Sequence, residues 1–263
     1  MDKKIRSFNI LGNIAVVNFP RGVSSKDKKA FAGKILKENK SVKTVLEKSG
    51  KFKGRLRKMQ TKHIAGEKTK EVLYKENGCV FRFNIDKTYF SPRLSGERKE
   101  ISSLINFREE VLVMFAGVAP YSIVIAKNSN AKKVYSNEIN REANKYAKLN
   151  IGLNNLKNRV EVVSGDIKKV SLGLKKQGKK FDVIVMPRPQ LKDTFLKQAF
   201  DLSKKNTRIY YYDFCKQDEI SLVKKKIEEQ AKKSRIKLKI TKIKRAGEIA
   251  PYKLRVRFDL KLI

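Results

Sequence analysis

The chain has 263 residues, of which 40% are hydrophobic, so it can build one large core or two smaller ones and is not expected to be disordered. One histidine, His63, and two distant cysteines, Cys79 and Cys215, disfavour a zinc cluster, a histidine-based triad and a disulfide framework. Any chemistry must therefore come from carboxylates, arginines and the backbone.

Positive charge dominates the composition, since 63 Lys and Arg against 26 Asp and Glu give a net charge of +37 at pH 7. Such an excess predicts a polyanionic partner, and RNA suits a chain without a DNA-reading motif. A lysine-rich surface from a thermophilic source is the alternative, but that bias raises Lys and Glu together. No apolar run reaches the length of a membrane span and no signal-peptide pattern opens the chain, so we expect a cytoplasmic protein that does not enter membranes.

Residues 1–85 are predicted to form a small α+β domain that positions RNA. Hairpin signals occur twice, around Gly12-Asn13 and around Asn77-Gly78, where turn residues separate short apolar strands. A basic helix is predicted from about Lys26 to Asn39. The basic cluster 51–58 is typical of a solvated loop, with phosphate contact as the alternative.

The segment 86–100 combines aromatic residues, a proline and paired Arg and Glu side chains directly before a predicted helix. Ser95 could simply begin that helix. Because the helix leads to the apolar strand Val111–Met114, Glu97 would lie near that strand, which is a reasonable position for a general base.

The stretch Val111–Ser122 predicts a strand, a tight turn at Gly117 and a helix. Glycine at such a turn lets the backbone approach a ligand, and the free N–H groups at the start of the helix would face that ligand. The match alone is weak, because a single glycine also occurs at ordinary β–α turns.

Spacing adds support for a cofactor site. Two further predicted strands, 132–138 and 160–163, end at Glu138 and near Asp166. Together with the strand before Gly117, they would place three ligand residues along one edge of a parallel sheet. An acid in the position of Glu138 suits ribose hydroxyls. Capping of the following helix is the alternative for either acid.

The remaining residues continue the alternation of strands and helices. The predicted elements are a strand at Phe181–Met186 that stops at Pro187 and Pro189, a helix at Leu191–Ser203, a strand at Arg208–Phe214, a helix at Asp218–Ser234, and strands at Ile236–Thr241 and Leu254–Leu262 connected by Arg245–Pro251. This alternation predicts an α/β domain with a doubly wound sheet over residues 86–263.

Several longer motifs resemble one family closely. They are KTYFSPRLSGER (87–98), FAGVAPYSI (115–123), VYSNEINREANKYAKLNIGLN (134–154), SGDIKKV (164–170) and YYYDF (210–214). Together they are similar to the Trm-five family of archaeal and eukaryotic tRNA (guanine-37 N1)-methyltransferases. The resemblance implies a Rossmann-like class I S-adenosyl-L-methionine methyltransferase domain, with the anticodon arm of tRNA and its guanosine 37 as partner. We also expect a monomer. Longer relatives carry a further N-terminal domain that this chain is expected to lack.

The same resemblance assigns roles to individual residues. Glu97 matches the proposed general base, and Arg57 matches the arginine that contacts the target guanine. Further substrate contacts are expected from Tyr89, Arg93, Arg188 and Pro189. Cofactor contacts are expected from Arg98, Phe115, Ala116, Gly117, Val118, Glu138, Ile139, Asp166, Ile167 and Pro187.

These residue types suit methyl transfer to guanine N1. That nitrogen carries a proton, so a carboxylate must accept the proton while a guanidinium stabilises the negative charge that grows on O6. Arginine suits the second role because it stays cationic and donates in a fixed fork. The base must first leave the stacked anticodon loop.

The chain departs from the family pattern at four places. Met114 stands where the first strand usually ends in an acid, Ala119 replaces the second glycine of the loop, and Glu138 replaces an aspartate. Pro187-Arg188-Pro189 replaces a motif that contains asparagine, and Arg188 is expected to supply a new contact in its place.

Two alternatives remain open. One is an enzyme of the wyosine pathway, which would methylate a tricyclic guanosine derivative or transfer an aminocarboxypropyl group from the same cofactor. The other is a non-catalytic RNA-binding relative with a decayed cofactor site. Glu97 and Arg57 favour N1 methylation, because that reaction must remove a proton from N1.

Overall fold

The structure is a computed structural model that describes residues 8–50, 59–188 and 190–263. The chain divides into two compact units, Met1–Pro92 and Arg93–Ile263. Two residues with predicted roles, Arg57 and Pro189, lie outside the described residues, as does the whole basic cluster 51–58. No helix in the described part of the chain is long and apolar enough to cross a lipid bilayer.

A mixed four-stranded sheet in the order β1-β2-β3-β4 organises the N-terminal unit. Its elements are β1 (Phe8–Leu11), β2 (Ile14–Val17), α1 (Ser25–Glu38), β3 (Thr44–Lys48) and β4 (Thr61–Gly66). β1 and β2 form the first predicted hairpin, β3 lies parallel to β2, and β4 returns antiparallel. Helix α1 confirms the predicted basic helix, and its first turn is capped by Ser24, which accepts the N–H of Asp27.

The second predicted hairpin is also confirmed. Strands β5 (Glu71–Glu76) and β6 (Cys79–Asn84) pair antiparallel across the two-residue turn. Asn77 and Gly78 have φ values of 49° and 72°, the left-handed geometry that an Asn-Gly turn favours between right-twisted strands. The Phe90 ring stacks on Phe83 with ring centroids 4.8 Å apart.

A seven-stranded sheet in the order β12-β13-β11-β10-β7-β8-β9 forms the centre of the C-terminal unit. Its elements are α2 (Ser95–Ser103), β7 (Glu110–Met114), α3 (Pro120–Asn128), β8 (Lys133–Glu138), α4 (Arg141–Leu153), β9 (Val160–Ser164), α5 (Ile167–Lys176), β10 (Phe181–Met186), α6 (Leu196–Asp201), β11 (Ser203–Cys215), α7 (Ile220–Lys233), β12 (Leu238–Ala250) and β13 (Lys253–Leu262). Strands β7 to β11 pair in parallel, whereas β13 pairs antiparallel with β11 and β12. The predicted doubly wound α/β fold is confirmed.

Both faces of this sheet are covered, which explains the continuous apolar runs of its central strands. On one face, Met186, Tyr211 and Phe258 pack with apolar residues of α5, α6 and α7 in a single core. On the other face, Ser122 of α3 donates a hydrogen bond to Ser136 of β8 at 2.9 Å. A parallel strand that is buried on both faces needs apolar side chains at consecutive positions, as β7 and β10 have.

The predicted helix Leu191–Ser203 is wrong at both ends, because α6 covers only Leu196–Asp201. The carbonyl groups of Leu191 and Asp193 accept hydrogen bonds from the Arg188 guanidinium at 2.7 and 2.8 Å. Those carbonyls are therefore committed to a side chain instead of to helix amides, and the helix begins later.

The connection predicted at Arg245–Pro251 is also wrong, because β12 continues to Ala250. The strand stays paired with β13 across register shifts on either side of Glu248. Gly247 has φ = 118°, and such a residue allows a bulge without ending the strand. The hairpin is therefore longer than predicted, and its turn is formed by Pro251 and Tyr252.

Candidate active site

The loop between β7 and α3 has an unusual backbone. Phe115, Gly117 and Ala119 all have positive φ, at 58°, 59° and 68°. For the two residues that carry a Cβ, this conformation costs about 1–2 kcal/mol each. Strain of this kind persists where the surrounding structure imposes it, and it concentrates at ligand sites. The surrounding structure therefore imposes this loop conformation, even though alanine stands here in place of the second glycine of the family pattern.

The ends of three neighbouring strands meet beside this loop, as the spacing predicted. In the sheet, β7 pairs with β8 and β8 with β9, so Gly117, Glu138 and Asp166 follow adjacent strands. The Glu138 carboxylate accepts the N–H of Gly117 at 2.9 Å through Oε2 and the N–H of Asn140 at 2.7 Å through Oε1. Glu138 therefore ties the loop to the second strand end.

Asp166 has the capping role that the sequence left open as an alternative. Its side chain accepts the N–H of Lys168 at 3.0 Å and begins α5. The carboxylate stays partly exposed, whereas the next side chain, Ile167, is buried in the core. The start of α5 therefore fixes the orientation of the Asp166 carboxylate.

The residues at this edge fit the expected S-adenosylmethionine. Phe115, Gly117, Glu138 and Asp166 are partly exposed, although the strands before the first three are buried. A carboxylate at the end of the second strand is the residue type that accepts hydrogen bonds from ribose hydroxyls, which suits Glu138 to that contact. Carboxylates and a strained loop along one open edge match the donor and acceptor groups of a nucleoside with an amino-acid tail.

Glu97 lies inside a cluster of charges that the sequence did not reveal. Its Oε1 accepts a hydrogen bond from Lys244 Nζ at 2.6 Å, and its Oε2 accepts from Arg257 Nη1 and the Tyr212 hydroxyl, each at 2.9 Å. The Glu97 residue is 8% exposed and Arg257 is fully buried. The same two cations also contact Glu100.

Arg257 holds this cluster together from β13. Its Nε donates to Asp259 at 2.6 Å while its two terminal nitrogens reach Glu97 and Glu100 at 2.9 Å. Three carboxylates thus share two cations, Arg257 and Lys244. Breaking a buried ion pair from one side costs about 3–5 kcal/mol, so the cluster holds Glu97 in one position.

The pKa values of the neighbours show which charges persist. Burial would raise the pKa of Glu100, but hydrogen bonds from Lys244 and Arg257 outweigh it, and the pKa lies below its usual range. Burial would lower the pKa of Lys244, but hydrogen bonds to Glu100 and Glu97 raise it instead. Burial raises the pKa of Tyr212 well above its usual value. At neutral pH, Glu97 is therefore surrounded by two cations and one neutral hydroxyl.

We expect the free energy of unfolding to decrease as the pH falls below about 4.5. The folded pKa of Glu100 lies below its unfolded value of 4.5, so its stabilising contribution is complete above 4.5 and is lost as the pH falls through the folded value. Asp182, Asp193 and Asp201 have lowered pKa values and act in the same direction. Urea denaturation between about pH 7 and pH 3 measures this slope. Glu100→Gln should show a shallower slope, and an unchanged slope in that variant would contradict the assignment.

Arg98 and Tyr121 connect α2 to the helix that follows the loop. The Arg98 guanidinium lies over the Tyr121 ring, 5.8 Å from its centroid, and both residues are buried. Burial raises the pKa of Tyr121 to about 12, so its hydroxyl stays neutral. Arg98 is thus placed at the first turn of α3, next to the loop where the cofactor is expected.

The expectation that Arg188 contacts substrate needs correction. Its side chain is buried, with Nη1 donating to Asp213 at 2.7 Å and Nη2 donating to the Leu191 and Asp193 carbonyls. The guanidinium also lies over the Tyr211 ring at 5.5 Å. Both terminal nitrogens of Arg188 therefore donate to acceptors within the protein. The guanidinium orders the segment after β10 instead of presenting its charge to a ligand.

The other predicted residues differ in their surroundings. Val118 and Ala116 are buried in the loop, and Ile139 and Pro187 are partly exposed beside it. Arg93 is exposed on a short 3₁₀ turn, Pro92–Leu94. Tyr89 belongs to the N-terminal unit and is partly exposed. Arg57 and Pro189 lie outside the residues that the structure describes.

Sequence reasoning missed Lys244, Arg257 and the role of Tyr212. These residues lie between 115 and 160 positions from Glu97 in the chain, so no local pattern connects them. One signal was present in the last strand, where Arg255, Arg257 and Asp259 alternate with apolar residues. Such alternation usually indicates a solvent-facing side, but here that side is buried.

Known proteins match the chain over nearly its whole length. Residues 72–239 match the TRM5/TYW2 methyltransferase domain, and residues 1–69 match the TYW2 N-terminal domain. The tRNA (guanine(37)-N(1))/4-demethylwyosine(37)-methyltransferase Taw22 of Nanoarchaeum equitans is 34% identical, over 98% of this chain and 100% of its own length. The crystal structure of Trm5b from Pyrococcus abyssi has a TM-score of 0.84 at 32% identity, covering 98% of this chain and 75% of that one. The complex of aTrm5 with tRNALeu has a TM-score of 0.83 at 28% identity, covering 98% and 72%.

The methyltransferase domain match spans well over half of the chain and includes the loop, the three strand ends and Glu97. The resemblance inferred from the motifs is thereby confirmed. The chain belongs to the TRM5/TYW2 methyltransferase family.

Proposed function

We propose that this enzyme methylates N1 of guanosine 37 in the anticodon loop of tRNA. The observation that carries the proposal is the position of Glu97. This buried carboxylate lies on α2, the helix that packs against α3, and three hydrogen-bond donors from the sheet hold it in place. When bound, S-adenosylmethionine supplies the methyl group. Glu97 accepts the N1 proton, because guanine N1 is a poor nucleophile until that proton leaves.

The geometry leaves Glu97 able to accept one more proton donor. A carboxylate offers about four lone-pair sites, and the described residues fill three of them, from Lys244, Arg257 and Tyr212. The remaining site lies on Oε1, beside the Lys244 contact. None of the described donors uses this site, so we expect it to accept the hydrogen bond from the incoming N1–H.

The flanking cations carry a second part of the chemistry. When N1 loses its proton, negative charge spreads to O6, and a fixed cation nearby stabilises that charge more effectively than water does. Lys244 stays protonated because hydrogen bonds to Glu100 and Glu97 raise its pKa. Arg57 takes the guanine contact itself, as its match to the family arginine implies.

The charge of the chain supports a tRNA substrate. A net charge of +37 exceeds what solubility requires and favours a polyanion. One of the solved structures with the same fold is itself a complex with tRNALeu. Attraction to phosphates would bring tRNA to the enzyme, and the Glu97 cluster would then act on a base that has left the anticodon stack.

The decisive test is transfer of the labelled methyl group of S-adenosylmethionine to a tRNA transcript with guanosine at position 37. A matched transcript with adenosine at that position should stay unlabelled. Nuclease digestion and mass spectrometry should locate the label on N1 of guanosine 37. Absence of transfer despite tight tRNA binding would contradict the proposal and favour a non-catalytic binder.

A second candidate function is methylation of 4-demethylwyosine at position 37. The observation that favours it is the match to Taw22, which covers all of that enzyme, whereas Trm5b of Pyrococcus abyssi is covered over 74% of its length. A tRNA that already carries 4-demethylwyosine should accept a methyl group if the chain has both activities. The third possibility is aminocarboxypropyl transfer. It would be detected with S-adenosylmethionine that is labelled in the aminocarboxypropyl carbons instead of the methyl group, as label that appears in the tRNA.

A further inference from the structure

A groove of about 600 Å³ opens between the β11–α7 connection and the turn of the β12–β13 hairpin. Its lining includes two cations, two carboxylates, an amide and an aromatic ring: Lys216, Arg245, Asp218, Glu248, Gln217 and Tyr252. We call it the hairpin-tip groove. It is separate from the Glu97 cluster and from the strand ends where the cofactor is expected, and the proposed reaction does not use it.

Tyr252 stands out within this groove. The residue is 85% exposed, and its backbone has φ = 61°, a left-handed conformation at the hairpin turn. The positive φ belongs to the two-residue turn, in which Pro251 precedes Tyr252, and it fixes the tyrosine at the tip of the hairpin. The exposed ring gains little burial energy within the chain, so its apolar faces are open to contact with a ligand.

The side chains of the groove match the parts of a nucleotide. An exposed tyrosine ring gives a base a flat surface for stacking. Lys216 and Arg245 can contact phosphate oxygens. Asp218 and Glu248 can accept hydrogen bonds from the amino groups on a base edge, as carboxylates do from cytosine. A purely electrostatic phosphate site would not place two carboxylates in the same groove, so the mixed lining favours a whole nucleotide over a bare phosphate.

The groove also lies within reach of the Glu97 cluster along two strands. On β11, Tyr212 donates to Glu97, and the strand ends three residues later, directly before Lys216. On β13, Arg257 donates to Glu97 and Leu254 of the groove precedes it by three residues. At about 3.4 Å per residue, the path along β11 to Lys216 is about 14 Å long and the path along β13 to Leu254 is about 10 Å long. A nucleotide next to a base held at Glu97 would therefore reach the groove.

We propose that the hairpin-tip groove binds a nucleotide of the tRNA anticodon loop that neighbours the target guanosine. Its base stacks on Tyr252, and Lys216 and Arg245 contact its phosphates. This inference rests on the proposed tRNA function and assigns an RNA contact to the C-terminal hairpin. It predicts that the enzyme contacts a nucleotide next to position 37 in addition to the extruded guanine.

The chain has no tryptophan, which gives a direct optical test. Tyr252→Trp places the single tryptophan of the protein at the groove. Titration with an anticodon stem-loop RNA should quench its fluorescence, since a base stacked on the indole ring is an efficient quencher. Phe107→Trp is the matched control, because Phe107 is also highly exposed, at 75%, but precedes β7 at the opposite end of that strand from the loop. Equal response of the two variants, or no quenching in the Tyr252→Trp variant while the RNA binds, would overturn the proposal.

Binding and turnover give an independent readout. Tyr252→Ala should weaken binding of the stem-loop RNA about 5- to 150-fold, the range that corresponds to loss of one base–aromatic stack. Tyr252→Phe keeps the ring and should restore affinity. The effect should appear in KM for tRNA with kcat nearly unchanged, and Phe107→Ala should change neither constant. A loss in kcat alone, or equal loss in Tyr252→Phe and Tyr252→Ala, would assign Tyr252 to another role.

Salt dependence tests the two cations. For single-stranded RNA, each phosphate contact contributes about 0.7 to the slope of log affinity against log salt concentration. The double variant Lys216→Ala and Arg245→Ala should therefore reduce the slope by about 1.4. An unchanged slope would remove both cations from the RNA interface.

If the unsubstituted enzyme binds the stem-loop through the groove but does not methylate guanosine 37, only the proposed function fails. If it methylates guanosine 37 and all groove variants behave like it, only the groove fails.

Discussion

Glu97→Gln is expected to lower the rate of methyl transfer to guanosine 37 by about 10²- to 10⁴-fold, while tRNA affinity changes little. Glutamine keeps the size of the side chain but does not accept the N1 proton at neutral pH. Single-turnover kinetics with labelled S-adenosylmethionine measures the chemical step, and filter binding measures tRNA affinity. The variant also leaves Lys244 and Arg257 with one carboxylate fewer, so its thermal stability should fall as well.

Glu100→Gln separates the two effects of that substitution. Glu100 contacts the same two cations as Glu97, but its side chain is 29% exposed and has no role in the proposed proton transfer. Both variants weaken the cluster, whereas only Glu97→Gln removes the proton acceptor. We expect Glu100→Gln to retain most of the rate at a temperature where the protein is folded. Equal losses of rate in the two variants would show that Glu97 acts only by holding the cluster together.

Glu138→Ala is expected to weaken S-adenosylmethionine binding by about 10- to 150-fold, since a hydrogen bond to a charged group contributes about 1.5–3 kcal/mol. The substitution removes the acceptor for the ribose hydroxyls, and it also releases the N–H groups of Gly117 and Asn140 that shape the loop. Isothermal titration calorimetry with S-adenosylmethionine gives the dissociation constant. The expected change lies in cofactor affinity, and saturating cofactor should restore much of the rate.

Two further variants make the Glu138 test specific. Glu138→Asp keeps a carboxylate at the residue type that the family prefers, so it should retain most of the affinity. Glu161→Ala removes an acid from the adjacent strand, where the Glu161 side chain is 48% exposed and pairs with Lys133 at 2.5 Å. That variant should bind the cofactor normally. Unchanged affinity in Glu138→Ala would move the ribose contact to another residue.

The cofactor edge was predictable because its signals are local. The central strands β7 and β10 are buried along most of their length and appear in the sequence as short apolar runs, and the expected ligand residues lie at or just after the ends of β7, β8 and β9. Adjacent strands of a doubly wound sheet place these residues together without any further information. The hydrogen bond between Gly117 and Glu138 is a direct result of that topology.

The segment after β10 shows where local reasoning failed. Leu191–Ser203 has a helical composition, but the Arg188 guanidinium binds two of its carbonyl groups, and the helix begins five residues later. Arg188 itself was expected to face a ligand, because its sequence position replaces a family asparagine. Its burial against Tyr211 and its ion pair with Asp213 depend on β11, which follows about twenty residues later in the chain.

By itself, the sequence determined the fold class, the glycine loop, the acidic strand ends and the family, because each depends on residues that are close in the chain or on motifs with a fixed spacing. Only the tertiary structure decided how Glu97 is held. Its three partners come from β11, β12 and β13, and they meet it because antiparallel pairing of the C-terminal hairpin brings Arg257 opposite both Tyr212 and Lys244. Charged residues in an alternating strand look solvent-exposed in a sequence, but ion pairing with α2 makes their burial favourable here.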